Sequence, residues 1–150
     1  MDLDYSRLTP ARVAEALAMM RRFYAGESLD YREARARSAL EELAAGPDLG
    51  GFWFIEADGR AAGYFVLTVC YSLEFGGRYA LLDEFFLEAD RRGAGIGARA
   101  LVRIQEEAAR MGVAALRLEV DRLNPRIRGF YVRFGFEAHA RDLMTKWLRR

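Results

Sequence analysis

Arg91-Arg92-Gly93-Ala94-Gly95-Ile96-Gly97-Ala98 follows a long apolar run and leads directly into an amphipathic stretch. A strand, a basic glycine-rich turn and a helix start in that order form a cradle for phosphate. Glycines let the backbone approach an anion closely, the first N–H groups of a helix have no intrahelical partner, and the helix dipole favours negative charge at that end. The arginines supply matching countercharge.

The elements around this turn follow from hydrophobic period. Thr9-Pro10 reads as an N-cap with proline in the first turn, followed by Val13, Leu17, Met20 and Tyr24 at helical spacing. A second helix is predicted from about Asp30, with Glu33 completing a capping box, Ala36, Leu40 and Leu43 on one face, and a stop at Gly46-Pro47. From Gly51 the period changes to two. Phe52 to Ala57, the turn Asp58-Gly59 and Ala61 to Tyr71 read as an antiparallel hairpin. Its second strand is apolar on both faces, as in the centre of a sheet, and a third strand is predicted from Tyr79 to Leu87. After the turn, a helix from about Gly97 to Met111 buries Leu101, Ile104, Ala108 and Met111, and Gly112 caps it. A strand from Ala114 to Val120, a short helix from Pro125 to Phe134 closed by Gly135, and a last strand from His139 to Leu148 complete the order αα, βββ, αβ, αβ. The crossover from Leu87 to the next strand is expected to be right-handed.

The chain has 150 residues, the size of one domain, so residues 1–150 are read as a single unit of α/β (α+β) class. Its net charge of +1 gives no global field that would favour nucleic acid or a membrane surface, and neither is expected as a partner. The single cysteine, Cys70, has no disulfide or CxxC partner, and no metal site is expected. The N-terminus lacks the basic start and apolar core of a signal peptide, and no apolar run approaches a bilayer span. A cytoplasmic setting is the expectation.

Several phosphate sites compete for the turn. Gly93-x-Gly95-x-x-Ala98 satisfies the loose dinucleotide fingerprint, with Glu119 or Asp121 placed where a ribose-binding acid would lie. Against that reading, the polar residues Glu88 to Arg92 separate strand from glycine, and a meander rather than a parallel unit precedes them. A P-loop is excluded, since no Gly-Lys-Ser/Thr follows the glycines.

Arg92-Gly93-Ala94-Gly95-Ile96-Gly97 resembles the Arg/Gln-x-x-Gly-x-Gly/Ala motif of the GNAT N-acetyltransferase superfamily. Leu82-Asp83-Glu84-Phe85-Phe86-Leu87 is similar to the strand before that motif, and Asn124-Pro125 through Phe130-Tyr131 to Gly135-Phe136 is similar to a later segment of the same family. Arg91 replaces a more usual tyrosine-like residue and Ala89 a common proline; neither touches the phosphate-binding atoms. The resemblance covers the chain in element order and is sharp from about Tyr79 to Phe136. It implies a GNAT-type fold, a mixed and mostly antiparallel sheet of about six strands with about four helices, and transfer of acetyl from acetyl-CoA to a primary amine by direct attack. The pyrophosphate would rest on Arg92, Gly93, Ala94, Gly95, Ile96 and Gly97. Phe85, Phe86 and Leu87 would offer backbone groups to the pantetheine arm, on a strand that in the family carries a bulge and splays from its neighbour. Asn124, Phe130 and Tyr131 complete the cofactor set, and family members are often dimers, so a homodimer is expected by analogy.

Acetyl transfer needs a deprotonated amine, a polarised thioester carbonyl and a protonated leaving sulfur. An alkylamine of pKa about 10 is mostly ammonium at neutral pH, so a base is useful. The resemblance favours Glu84, with Asp83 next, because adjacent strand side chains face opposite ways. A backbone N–H near Phe86 would polarise the carbonyl, and Tyr131 would protonate the departing thiolate. Each residue also has a plainer reading. Tyr131 also reads as packing, either acid as solvated or paired with arginine, and Asn124-Pro125 as a helix start. Glu119 faces either the acceptor or a salt bridge. Cys70 reads as an inert buried thiol, His139 as a surface or packing residue, and Arg32, Arg35 and Arg37 as a solvated helix face. Trp53, Tyr64, Phe65, Tyr71 and Phe75 divide between core and acceptor pocket. The acceptor is a small-molecule or peptide amine. A non-catalytic acyl-CoA sensor, having kept the cradle and lost the chemistry, is the rival of another class.

Overall fold

Asp58 and Gly59 adopt φ of 51° and 76°, and this left-handed pair closes the predicted hairpin between strands β2 (Gly50–Ala57) and β3 (Arg60–Ser72). β4 (Gly77–Leu87) pairs antiparallel with β3 on the other side. The structure, a computed structural model, describes residues 1–149. They fall into two units, Met1–Leu118 and the described residues from Glu119 onward.

In the first unit the chain begins with β1 (Leu3–Arg7), which pairs antiparallel with β2 and which the sequence reading does not foresee. Only Leu3 and Tyr5 alternate in it, too short a pattern to stand out from an acidic N-terminus. A 3-10 turn at Pro10–Arg12 then leads into α1 (Val13–Gly26), followed by α2 (Glu33–Ala45). The expected capping box at Asp30 does not form. Arg32 stands at the N-cap without a side-chain bond, Asp30 pairs with Arg32 at 2.9 Å, and Glu33 reaches Arg21 at 2.8 Å. Arg32, Arg35 and Arg37 lie exposed on α2, as a solvated face requires.

Phe52, Phe54, Tyr64, Val66 and Phe86 share one face of the sheet and one core with Val13, Ala16, Leu17 and Met20 of α1 and Leu40 of α2. The alternate residues Trp53, Ile55, Phe65, Leu67, Ala80 and Leu82 are buried on the other face. There α3 (Ile96–Arg110) contributes Ile96, Ala100, Leu101, Ile104 and Ala108. Two covered faces explain why β3 is apolar throughout its middle. Tyr71, by contrast, is exposed, and Phe75 packs edge-on against Tyr79.

β5 (Leu116–Leu118) is shorter than the predicted 114–120 and lies parallel to β4, against Ala80 to Leu82 only. Among the described residues the sheet has five strands, in sequence order, rather than about six. The strand expected from His139 to Leu148 is absent: those residues carry no regular structure, and Leu143, Met144 and Leu148 are exposed. A strand needs a ladder partner, and Ala140, Leu143, Met144 and Trp147 recur at three and four residues rather than two.

The second unit is built around α4 (Pro125–Arg133). Asn124 Oδ1 accepts the Ile127 N–H at 3.2 Å, the N-cap its neighbour proline suggests. At the other end Gly135 has φ of 87°, its N–H meets the Val132 carbonyl, and the Phe136 N–H meets that of Tyr131. The Tyr131 and Phe136 rings touch, 5.5 Å between centroids, which completes a Schellman stop.

Candidate active site

β4 gives way to a 3-10 turn at Ala89–Arg91, and the chain then reverses through Gly93 and Gly95, with φ of 81° and 77°. An added Cβ at either glycine would meet nothing within 4 Å, so the backbone conformation, not crowding, demands glycine there. The space above the turn is open. Gly95 is the N-cap of α3 and has no side chain to cap it; the first intrahelical bond runs from the Arg99 N–H to the Gly95 carbonyl at 3.3 Å. The N–H groups of Ile96, Gly97 and Ala98 therefore precede the helical ladder, beside an exposed turn running from Arg92 to Gly95. Arg92 does not reach out over them. Its Nε donates to the Leu87 carbonyl at 3.0 Å, and its guanidinium lies 6.0 Å from the centre of the Phe86 ring. The turn thus presents backbone donors at the positive end of the helix dipole, while the arginine side chain ties it to the end of β4.

The outer edge of β4 is the second component. Leu82 is the last residue paired with β5, so Asp83 to Leu87 have no strand beside them on that side among the described residues. Across the β3 side the register steps from Leu67↔Leu82 to Val66↔Glu84, which leaves Asp83 as the extra residue of a β-bulge. The Glu88 N–H donates to the Ala62 carbonyl at 2.9 Å. Antiparallel alternation then turns the Phe86 N–H toward β3 and the N–H groups of Phe85 and Leu87 outward. The Leu87 carbonyl, bound by Arg92, agrees with that direction. The free outward donors thus flank Phe86, whose ring is buried against Phe23 and Tyr64.

Glu84 faces the α1 and α2 side. Its Oε1 accepts from the Tyr64 hydroxyl at 2.7 Å and its Oε2 from the Tyr24 hydroxyl at 2.9 Å. Burial raises its carboxyl above the ordinary glutamate range; the two phenols pull it down and the charge of Asp83 pushes it up, with a net rise. Asp83 remains exposed, yet it too is raised, by loss of part of its hydration. The bulge separates the two acids: only Glu84 is held by the core. Nothing in the local sequence announces Tyr24 and Tyr64 as its partners. Both sit at apolar positions, and the sole signal is that a buried phenol must find an acceptor.

In the second unit, burial pushes the Tyr131 phenol up to about 12, so it stays protonated at neutral pH. Phe130 touches both Tyr131 and Phe134, with 5.2 Å between ring centroids in each pair. Glu119 lies beyond the end of β5 and is exposed, not within a strand as its neighbours suggested. His139 is also exposed, and Cys70 is half-buried in β3. Among the described residues no three His, Cys, Asp or Glu side chains gather as for a metal ion.

The family model for the acetyltransferase (GNAT) family matches residues 17–136. No curated protein matches the chain. An integron cassette protein from the mobile metagenome of Cole Harbour Salt Marsh has a solved structure 32% identical, covering 97% of this chain and 91% of its own, with a TM-score of 0.84. A predicted acetyltransferase of Clostridium acetobutylicum, solved with acetyl-CoA, is 16% identical over 97% of this chain and 96% of its own, with a TM-score of 0.81. The aminoglycoside acetyltransferase AAC(6')-Iy, solved with the bisubstrate analogue CoA-S-monomethyl-acetylneamine, is 15% identical over 98% of this chain and 99% of its own, with a TM-score of 0.81.

Proposed function

This chain belongs to the acetyltransferase (GNAT) family and is an acetyl-CoA-dependent acyltransferase, and from that premise we propose that it acetylates a primary amine by direct attack in a ternary complex. The observation that carries this reading is the open edge of β4 from Asp83 to Leu87, running into the uncapped start of α3 behind Gly93 and Gly95. The N–H groups of Ile96, Gly97 and Ala98 receive the pyrophosphate of acetyl-CoA, with the turn from Arg92 to Gly95 around it. The outward backbone groups of Phe85 and Leu87 pair with the pantetheine arm, and one of those N–H groups polarises the thioester carbonyl. Phe86 supports that edge through its buried ring.

Glu84 takes a proton from the acceptor ammonium, directly or through water, with Asp83 as the nearby second acid; burial raises its pKa and makes it a stronger base than a free glutamate. The freed amine nitrogen bonds to the acetyl carbon, the carbon–sulfur bond breaks, the CoA thiolate takes a proton from Tyr131, and the extra proton left on the amide nitrogen returns through water to the Tyr131 phenolate. Asn124, Phe130 and Tyr131 join the proposed cofactor-contacting set, a reading supported by their likeness to the family's later segment. Since the family match runs from residue 17 to 136, the reading extends over both units as one catalytic domain, 1–150. The acceptor is a small-molecule amine, the class bound in the AAC(6')-Iy complex, with a peptide amine the other form. No helix among the described residues is long and apolar enough to cross a membrane. A cytoplasmic homodimer completes the proposal.

The test joins thermal shift with turnover. Acetyl-CoA and CoA should raise Tm by linkage, and a panel of primary amines should release CoA thiol. Stabilisation by NAD and not by CoA would replace the reading with a dinucleotide site. Stabilisation by CoA with no amine turned over would identify a sensor.

A further inference from the structure

Two phenols from different elements converge on Glu84, one on each carboxylate oxygen. We propose that Tyr24 and Tyr64 are positioning residues for Glu84: together they fix the plane of its carboxylate within the aromatic wall and keep one lone pair on each oxygen free for the acceptor ammonium or its water. The catalytic meaning of this arrangement rests on Glu84 being the base; the arrangement itself is tested separately below.

Neither phenol is free to swing. Tyr64 is fully buried in β3, stacked on Phe52 at 4.7 Å and 15°, with Phe23 edge-on and Phe86 tilted against it. Tyr24 lies in the last turns of α1, edge-on to Phe23 at 5.8 Å and to Tyr31 at 5.7 Å, and its carbonyl accepts the Leu29 N–H at 2.8 Å. Each ring is therefore a preorganised donor. Phenylalanine would fill either site with equal apolar area, so packing alone does not call for the hydroxyls. A half-buried carboxylate is also a poor choice for stability, since apolar residues of similar volume serve a core as well or better. The titratable groups facing Glu84 are Tyr24 from α1, Tyr64 from β3 and Asp83 from β4, with Tyr31 behind Tyr24. The two phenols favour the ionised carboxylate and Asp83 opposes it. The hydroxyls therefore set where the base titrates as well as how it is aimed.

The experiment uses the full chain labelled with 13C at glutamate carboxyls, with the Glu84 resonance assigned by its loss in E84Q. Loss of one donor to the charged form should move the Glu84 titration upward by about one pH unit in Y24F and in Y64F. The acidic limb of the kcat/KM profile, measured with an amine taken from the panel, should move with it, while KM for acetyl-CoA stays within about twofold. Unchanged titration and limb in folded Y24F would overturn the proposal and leave the phenols as packing. Y24F is at the less buried site, so it remains a test if Y64F does not fold. Full activity of E84Q with its acidic limb intact would instead overturn the base assignment, a result distinct from the NMR shift.

Discussion

Gly95→Ala separates the two reasons a glycine stands at the start of α3. Gly95 has φ of 77°, and an added Cβ meets nothing within 4 Å, so the substitution introduces no clash. What remains is left-handed backbone strain of about 1–2 kcal/mol, offset by about 0.4–1 kcal/mol because alanine has less freedom to lose on folding. The net is about 1 kcal/mol, or a fall in Tm of roughly 3 °C for a chain of this size. Relief of that strain rotates the peptide that aims the Ile96 N–H. One charge-assisted bond to pyrophosphate is worth about 1.5–3 kcal/mol, so the apparent affinity for CoA should fall roughly 10- to 150-fold. Gly112 is the control: its φ is 70°, its Cβ position is equally open, and it lies at the far end of α3. Gly112→Ala should show the same loss of Tm with no change in CoA binding. Calorimetric titration with CoA, and kinetics with acetyl-pantetheine, which lacks the pyrophosphate, complete the comparison. Gly95→Ala should affect the first and spare the second. Wild-type affinity for CoA in a Gly95→Ala protein that has lost the expected Tm would refute the assignment of pyrophosphate to this turn.

Gly63→Ala is the opposite case, since its Cβ would run into the Phe86 carbonyl oxygen, a backbone atom with nowhere to turn; a loss of about 3 kcal/mol is expected, the upper end for overpacking, read by urea unfolding. Tyr131→Phe should lower kcat more than it alters the Kd for CoA, because the buried phenol stays protonated in the neutral range and can donate; equal kcat in stopped-flow turnover would remove the proton-donor role. Glu84 bears a raised pKa in the folded protein, so its protonated form favours the fold, and its contribution is full below the unfolded pKa and lost as pH rises through the folded value. E84Q should therefore lose less stability than wild type between mildly acidic and neutral pH, and parallel Tm–pH curves would count against the shift.

The hydrophobic period and the turn residues carried most of the fold. Val13, Leu17 and Met20 on one helix, Leu101, Ile104 and Ala108 on another, and the Asp58-Gly59 turn all have local causes, and each element they predict is present. The failures occur where partners decide. β1 has too few residues to show a period but gains a ladder from β2, whereas the stretch from His139 to Leu148, expected as a strand, forms no ladder among the described residues. The Asp30 cap lost to ion pairs of Arg32 and Arg21 that a single stretch of chain does not reveal.

For the site, the residue types were legible and their division of labour was not. Gly93, Gly95 and the helix after them follow from local chemistry, because left-handed backbone and an uncapped helix start are properties of a few consecutive residues. Asp83 and Glu84 stand side by side in the sequence, and strict alternation would give them equivalent opposite faces. The register step against β3 makes Asp83 the bulged residue and hands Glu84 to Tyr24 and Tyr64, which lie 60 and 20 residues away. The order of residues along the chain sets the glycine turn ahead of α3 and the two adjacent acids on β4. Which acid is held by the core, and by what, was decided only in the tertiary structure, because a carboxylate's burial and donors come from strands and helices that meet it after pairing.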